Sequence, residues 1–322
     1  MAYFLSKLRA AATKLETSPG TAETLVSADN NVRMWDLAIG SLNVEMDASP
    51  SKAATGDFGL SESVPGNQSA SISFNTKFWG AGVTVPSWMK FVESCGCDYT
   101  TSGTYLTIYP SLNAVNQSIT AGIYDIEGAG TASGLFYSFA GCVGNCVIST
   151  EGTGKPYKMA FEYMGALSDI NDIHYSEIPV TTSLDTAIPD KFMNGTATIG
   201  GVSQCISNLE FNFGTTVTPV QCQTSSTGLS QFIITNMEPV LKINPAIQRN
   251  STYDAWGKFT AGTIEEIIVS TSDFTLNIPR GQITSLAVED SDGILRYSIE
   301  IRPLRPTSAG TMLWAPWTIV VI

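Results

Sequence analysis

The sequence predicts a mainly β protein with short helices, built as two tandem sandwich or barrel modules with one flanking helix each. Three observations predict it. The tetrad Trp-x-Lys-Phe occurs twice, at Trp88–Phe91 and Trp256–Phe259. Upstream of each copy, Leu42, Val44 and Met46 alternate with polar residues as Leu209, Phe211 and Phe213 do, the period-two pattern of a half-buried strand. The spacing from Leu42 to Leu209 is within one residue of that from Trp88 to Trp256, so two landmarks agree on a repeat. Third, Tyr157, Met159 and Phe161 and later Leu295, Tyr297 and Ile299 alternate after an acidic, glycine-containing turn, as the outgoing strand of a closing hairpin does.

The first module is expected over residues 1–167. Glu162 and Glu300 lie closer together than the tryptophans do, so this half carries about 30 additional residues, placed as a surface insertion around 99–140 where Gly, Ser, Thr and Asn accumulate. Pro86 and Ser87 start its helix and Gly96 stops it. Trp88 and Phe91, like Trp256 and Phe259, share a helical face and are candidate core anchors, with the lysine stem at the rim. Residues 168–192, polar and bearing Pro179, Pro189 and the only histidine, His174, read as a linker. The second module spans 193–322, its helix punctuated by Ser251 or Thr252 and Gly262. Its last stretch holds Trp314, Trp317 and Ile319, a candidate intersubunit or core strand.

Composition and motifs narrow the function. With 43% apolar residues in 322, the chain can bury a full core. A formal charge of −12 argues against gripping nucleic acid, which requires a cationic surface. No apolar run approaches the roughly 18 residues of a membrane span, and Lys7 and Arg9 interrupt any signal-peptide core. Cys95, Cys97, Cys142, Cys146, Cys205 and Cys222 read as free thiols in a reducing compartment, and their spacing lacks a zinc knuckle. Nucleophile–histidine chemistry would have to use His174 alone, which reads as a solvated linker side chain, Gly152–Tyr157 lacks the Ser or Thr of a phosphate loop, and Gly128–Gly134 lacks dinucleotide glycine spacing. Ser87-x-x-Lys90 has no companion motif, and Glu289–Gly293 reads as a hairpin turn before a calcium loop. No catalytic, cofactor or metal residue is expected, and the chain is not expected to be an enzyme.

Lys14–Thr24 ("KLETSPGTAET"), "SISFNTKFWGAG…VPSWMKFVESCG", "GKPYKMAFEYMG" and "GGVSQCISNLEFNFGTTVTPVQC" resemble, in that order, the signatures of major tail tube proteins of long-tailed, non-contractile bacteriophages. The resemblance implies a virion protein, assembled in the host bacterial cytoplasm, whose rings stack into the hollow tail through which DNA is ejected. Single-module members form six-membered rings, so a two-module chain implies a homotrimer with six modules per ring. Tape-measure, terminator and baseplate proteins are the implied partners, with double-stranded DNA passing the lumen unbound and no membrane involved. An acidic wall would keep DNA sliding rather than adhering. The candidate lumen-facing residues are Asn43, Glu45 and Asp47 in one half and Asn208, Glu210 and Asn212 in the other. The alternatives are a secreted carbohydrate-binding β-sandwich pair and the tube subunit of a contractile injection machine.

Overall fold

The computed structural model describes residues 4–47, 63–80, 84–111, 117–127, 133–174, 188–291, 293–307 and 315–322. It is mainly β, with two short α-helices and one 3-10 turn (Ser27–Asp29) among the described residues. The first half contributes β1 (Phe4–Leu15), β2 (Trp35–Asp47), β3 (Val64–Lys77), α1 (Met89–Glu93), β4 (Cys97–Ser102), β5 (Tyr105–Pro110), β6 (Ile119–Glu127), β7 (Ser133–Thr150) and β8 (Tyr157–His174). The second contributes β9 (Thr196–Ile199), β10 (Val202–Ser203), β11 (Ile206–Asn212), β12 (Thr215–Gln221), β13 (Leu229–Met237), β14 (Val240–Pro245), α2 (Ala255–Thr260), β15 (Ile264–Ser270), β16 (Phe274–Ser291), β17 (Ile294–Pro303) and β18 (Thr318–Val321).

The strand order repeats. Strands β2-β3-β8-β7 run antiparallel in that order, and β11-β14-β17-β16 run antiparallel in the matching order. Helix α1 follows β3 as α2 follows β14. β6 lies on the free side of β7, and β1 beyond it, as β15 lies on β16, and β9 beyond it. The two runs meet where Val147–Ser149 of β7 pairs with Asn212–Glu210 of β11, so one sixteen-stranded sheet crosses both halves. The hairpin β12–β13 stands apart as its own two-stranded sheet and packs Leu229, Phe232 and Ile234 onto Val143 and Ala166.

Register corrects the spacing read from sequence. One cross-strand row is Ile39–Ile72–Tyr163, and its counterpart is Phe211–Leu241–Ile301. Phe211 therefore corresponds to Ile39 and not to Val44. Leu42, Val44 and Met46 are 46%, 39% and 52% exposed, whereas Leu209, Phe211 and Phe213 are buried. A period-two pattern recurs every second residue and cannot fix register by itself, and β2 runs on past the core through register shifts.

The core is shared. The largest cluster of buried apolar side chains runs from Val32 to Val321, drawing on both halves. Trp88 lies between Phe78 and Trp79, its Nε1 donating to the Trp79 carbonyl at 3.2 Å, and Phe91 packs on Phe74 with centroids 4.9 Å apart. Trp256, expected as the matching anchor, is instead 61% exposed and rests on the half-buried Phe259. Helix phase explains it: Trp88 is the residue before α1, while Asp254 caps α2 by accepting from the Gly257 amide, at 2.9 Å. Trp256 thus enters its helix two residues later, turned by about 200° at 3.6 residues per turn. The cap also replaces the expected Ser251 or Thr252.

Three further expectations change. The 99–140 stretch is not a surface excursion, because Leu106, Ile108, Ile119 and Ile123 are buried and only the β4–β5 hairpin lacks a counterpart in the second half. The 168–192 linker begins as strand through His174 and ends in the core. There the buried Asp190 carboxylate accepts from Thr271 Oγ1 and Ser272 Oγ, and its amide donates to the Phe78 carbonyl. Trp317 and Ile319 are fully buried, and β18 has both edges paired, to β5 and β16 of its own chain. This strand is consequently internal, not a free intersubunit strand, and Trp314 lies outside the described residues. Because Trp317 fills the space against Phe211 and Phe213, Trp317→Ala is expected to lower unfolding free energy by about 3–5 kcal/mol in denaturant titrations.

Candidate assembly surface

Alternation on β11 gives the sheet two unlike faces. Leu209 and Phe211 point into the core, and Asn208, Glu210 and Asn212 lie on the opposite, polar face. Across the strands this face reads Ser149–Glu210–Lys242–Glu300, and in the first half Ala38–Ser73–Glu162–Asn145. Lys242 Nζ is 3.5 Å from both Glu210 and Glu300, with all three side chains about half exposed. Pairs this exposed are worth about 0–1 kcal/mol each, so they set the charge texture of the face and do not hold the fold.

The β7·β11 junction is the feature that the two halves share. Its backbone pairing is reinforced by Asn145, whose Nδ2 donates to Asn212 Oδ1 at 2.9 Å and whose Oδ1 accepts from the Thr215 amide at 3.0 Å. Thr150 Oγ1 accepts from the Leu209 amide, and the Phe213 amide donates to the Cys146 carbonyl, both at 3.0 Å. On the core side, Ile148, Tyr157, Phe211 and Phe213 are all buried. Between the stretches of β7 held by β6 and by β11, the Gly144 amide donates to the Ser94 carbonyl at the end of α1. Residue 144 must lack a side chain: a Cβ there would sit 2.2 Å from the Glu162 carbonyl oxygen.

Buried polar groups pin the surrounding elements. Glu16, 4% exposed, accepts from Thr120 Oγ1 and from the Gly20 and Gly141 amides, fastening the end of β1 to β6 and β7. Lys90 Nζ donates to the carbonyls of Thr13 and Asp29 and to Asn31 Oδ1, and burial pushes its ammonium down to about 8. Burial, with Asp98 nearby, pushes the Glu93 carboxyl up to about 7. Cys95, Cys97, Cys142 and Cys146 are free and buried, and burial raises all four thiols, which makes them poor nucleophiles.

The sequence-predicted wall residues do not gather in one place. Asn208, Glu210 and Asn212 share the polar face, but Asn212 is occupied in the Asn145 clamp and Asn208 donates its amide to Asn244 Oδ1. Asn43 and Glu45 lie on the outlying part of β2, where Glu45 accepts from Asn67 Nδ2, and the Asp47 side chain lies outside the described residues. By register the counterpart of Glu210 is Ala38. Sequence reading missed Asn145, Thr150 and Glu16; for Asn145 and Thr150 the available signal was a polar residue within the largely apolar β7, and Glu16, just past the end of β1, offered none. Among the described residues no group of three or more His, Cys, Asp or Glu is placed to hold a metal ion, and no helix is long and apolar enough to cross a membrane.

No protein-family model matches this chain, and no curated protein matches it.

Glu93 supplies a pH test of the α1 anchorage. A carboxyl held above its ordinary value near 4.5 binds its proton more tightly in the folded chain, so stability should fall as pH rises from about 4.5 through about 7. Glu93→Gln should flatten that slope in melting curves recorded between pH 4 and 8.

Proposed function

We propose that this chain is a structural subunit that polymerises as stacked rings into a hollow tube, the major tail tube protein of a long-tailed, non-contractile phage. In this reading the two halves are duplicated tube modules, three chains supply six of them per ring, and DNA leaves the capsid through the bore. The observation that carries it is the repeated order β2-β3-β8-β7 and β11-β14-β17-β16, merging edge to edge into one sheet. A module that pairs laterally with its own copy is the repeating unit that a closed β-walled ring needs. The resemblance in sequence points the same way, and so does the net charge of −12, which suits a wall that DNA must pass without sticking.

The polar face carrying Glu162, Glu210 and Glu300 is the wall in this reading, and the tape-measure, terminator and baseplate proteins are its axial partners. Electron microscopy of the purified protein, with mass measurement in solution, is expected to give annular particles or tubes built from trimers. Persistent monomers at high concentration would remove the reading. Charge reversal of the face, by Glu162→Lys, Glu210→Lys and Glu300→Lys together, is expected to slow DNA ejection from assembled particles at low salt and less so at high salt.

One observation favours a second reading. Trp256, 61% exposed beside Phe259, forms an aromatic platform of the kind a carbohydrate-binding module uses. Polysaccharide pull-down that is lost in Trp256→Ala would support that reading; no binding by the wild-type chain would end it.

A further inference from the structure

Two of the sheet's one-sided stretches lie at matching ends of the repeated strand order, and on the first of them, β2, the Leu37 carbonyl accepts from Arg9 Nη1. β2 pairs with β3 on one side only, and β16 beyond Ile283 pairs with β17 on one side only, among the described residues. The corresponding edge of β7 is not free, because β11 occupies it. Carrying the β7·β11 registration to the other half is a matter of matching rows. Ile148 sits opposite Met159 on β8, and Val288 sits opposite Tyr297 on β17. Phe211, the partner of Ile148, corresponds to Ile39 by the row match given above.

We infer that β16 of one copy pairs antiparallel with β2 of a second copy, in the register Gly40·Ala287, Ile39·Val288 and Ala38·Glu289. This rests on the assembly reading above for its geometry of closure, but the contact itself is argued from the chain's own internal joint. Burial marks the missing neighbour: Ile148, beside its β11 partner Phe211, is 2% exposed whereas its counterpart Val288 is 61%. Val288 and Leu295, the latter 57% exposed, lie on the core face of β16 and β17. An open strand edge with an uncovered apolar flank is a ready partner for another strand, and β2 is the edge that the row match to β11 supplies with a register. The contact is heterologous, since one copy offers β16 and the next offers β2, so successive copies close a ring or extend a filament.

The inter-copy joint differs from the internal one. Gly40 stands where Asn212 stands, so no amide clamp like Asn145–Asn212 can form there. The joint between copies therefore relies on backbone pairing and on Val288 and Leu295, and is the weaker of the two.

Val288→Glu tests it, because a residue this exposed in the isolated chain can change without unfolding it. The variant is expected to keep the wild-type melting temperature and to lose assembly by mass measurement, with Ile188→Glu, 82% exposed elsewhere, as the control that assembles normally. In a Cys205→Ser, Cys222→Ser background, Ala38→Cys with Glu289→Cys is expected to give a reducible ladder of multimers on mild oxidation. Full assembly by Val288→Glu, cross-linking only in a slipped pair such as Ala38→Cys with Ala287→Cys, or a wild-type chain that never associates would each overturn the joint. Tubes that form despite Val288→Glu would overturn the joint and leave the tube reading standing. Cross-linked copies that never enclose a bore would do the reverse.

Discussion

The backbone pairing of β7 with β11 is the constraint on which the rest depends. Each buried amide and carbonyl in a strand must find a partner, and Val147–Ser149 of β7, paired with β8 on one side, finds its second neighbour in the other half of the chain. Without it Ile148 would lose its neighbour Phe211, and Asn145, Thr150 and Cys146 would lose the hydrogen-bond partners they have on β11. Hydrophobic burial supplies most of the driving force, but the pairing fixes which apolar side chains are covered and which are left open.

The two halves share an order of strands but not a way of being sealed. The first half has its helix enclosed by Phe78, Trp79 and the lysine clamp on the Thr13 and Asp29 carbonyls. The second leaves Trp256 outside and, among the described residues, the far side of β16 beyond Ile283 without a strand partner. That asymmetry follows from the β4–β5 hairpin and β18, which complete the seam between halves and have no counterpart among the described residues. The repeated strand order thus has one run joined to its neighbour within the chain and, among the described residues, one stretch of β16 paired on one side only.

Much of this was legible in the residues. The alternation of Leu209, Phe211 and Phe213, the hairpins ending in Phe161 and Ile299, and the glycine stops at Gly96 and Gly262 each mark an element that forms. Register was not legible, because the irregularity between Ile39 and Leu42 inserts a residue into β2 and resets the alternation; Val44 therefore looks like the match of Phe211 where Ile39, five residues earlier, belongs. Helix phase was not legible either, since the same tetrad begins before one helix and inside the other. The clamps of Asn145, Glu16 and Asp190 depend on partners about 67 to 125 residues away, and local patterning carries no trace of such distances.

The strand β18 lies between β5 and β16, yet it follows both of them in the chain by a wide margin. During synthesis those two edges stand open, flanked by Leu106, Ile108 and Leu276, until residues near 320 emerge to fill the slot. Long-range closure of this kind is slow and leaves sticky intermediates, so the nascent chain would be a natural client for a holding chaperone.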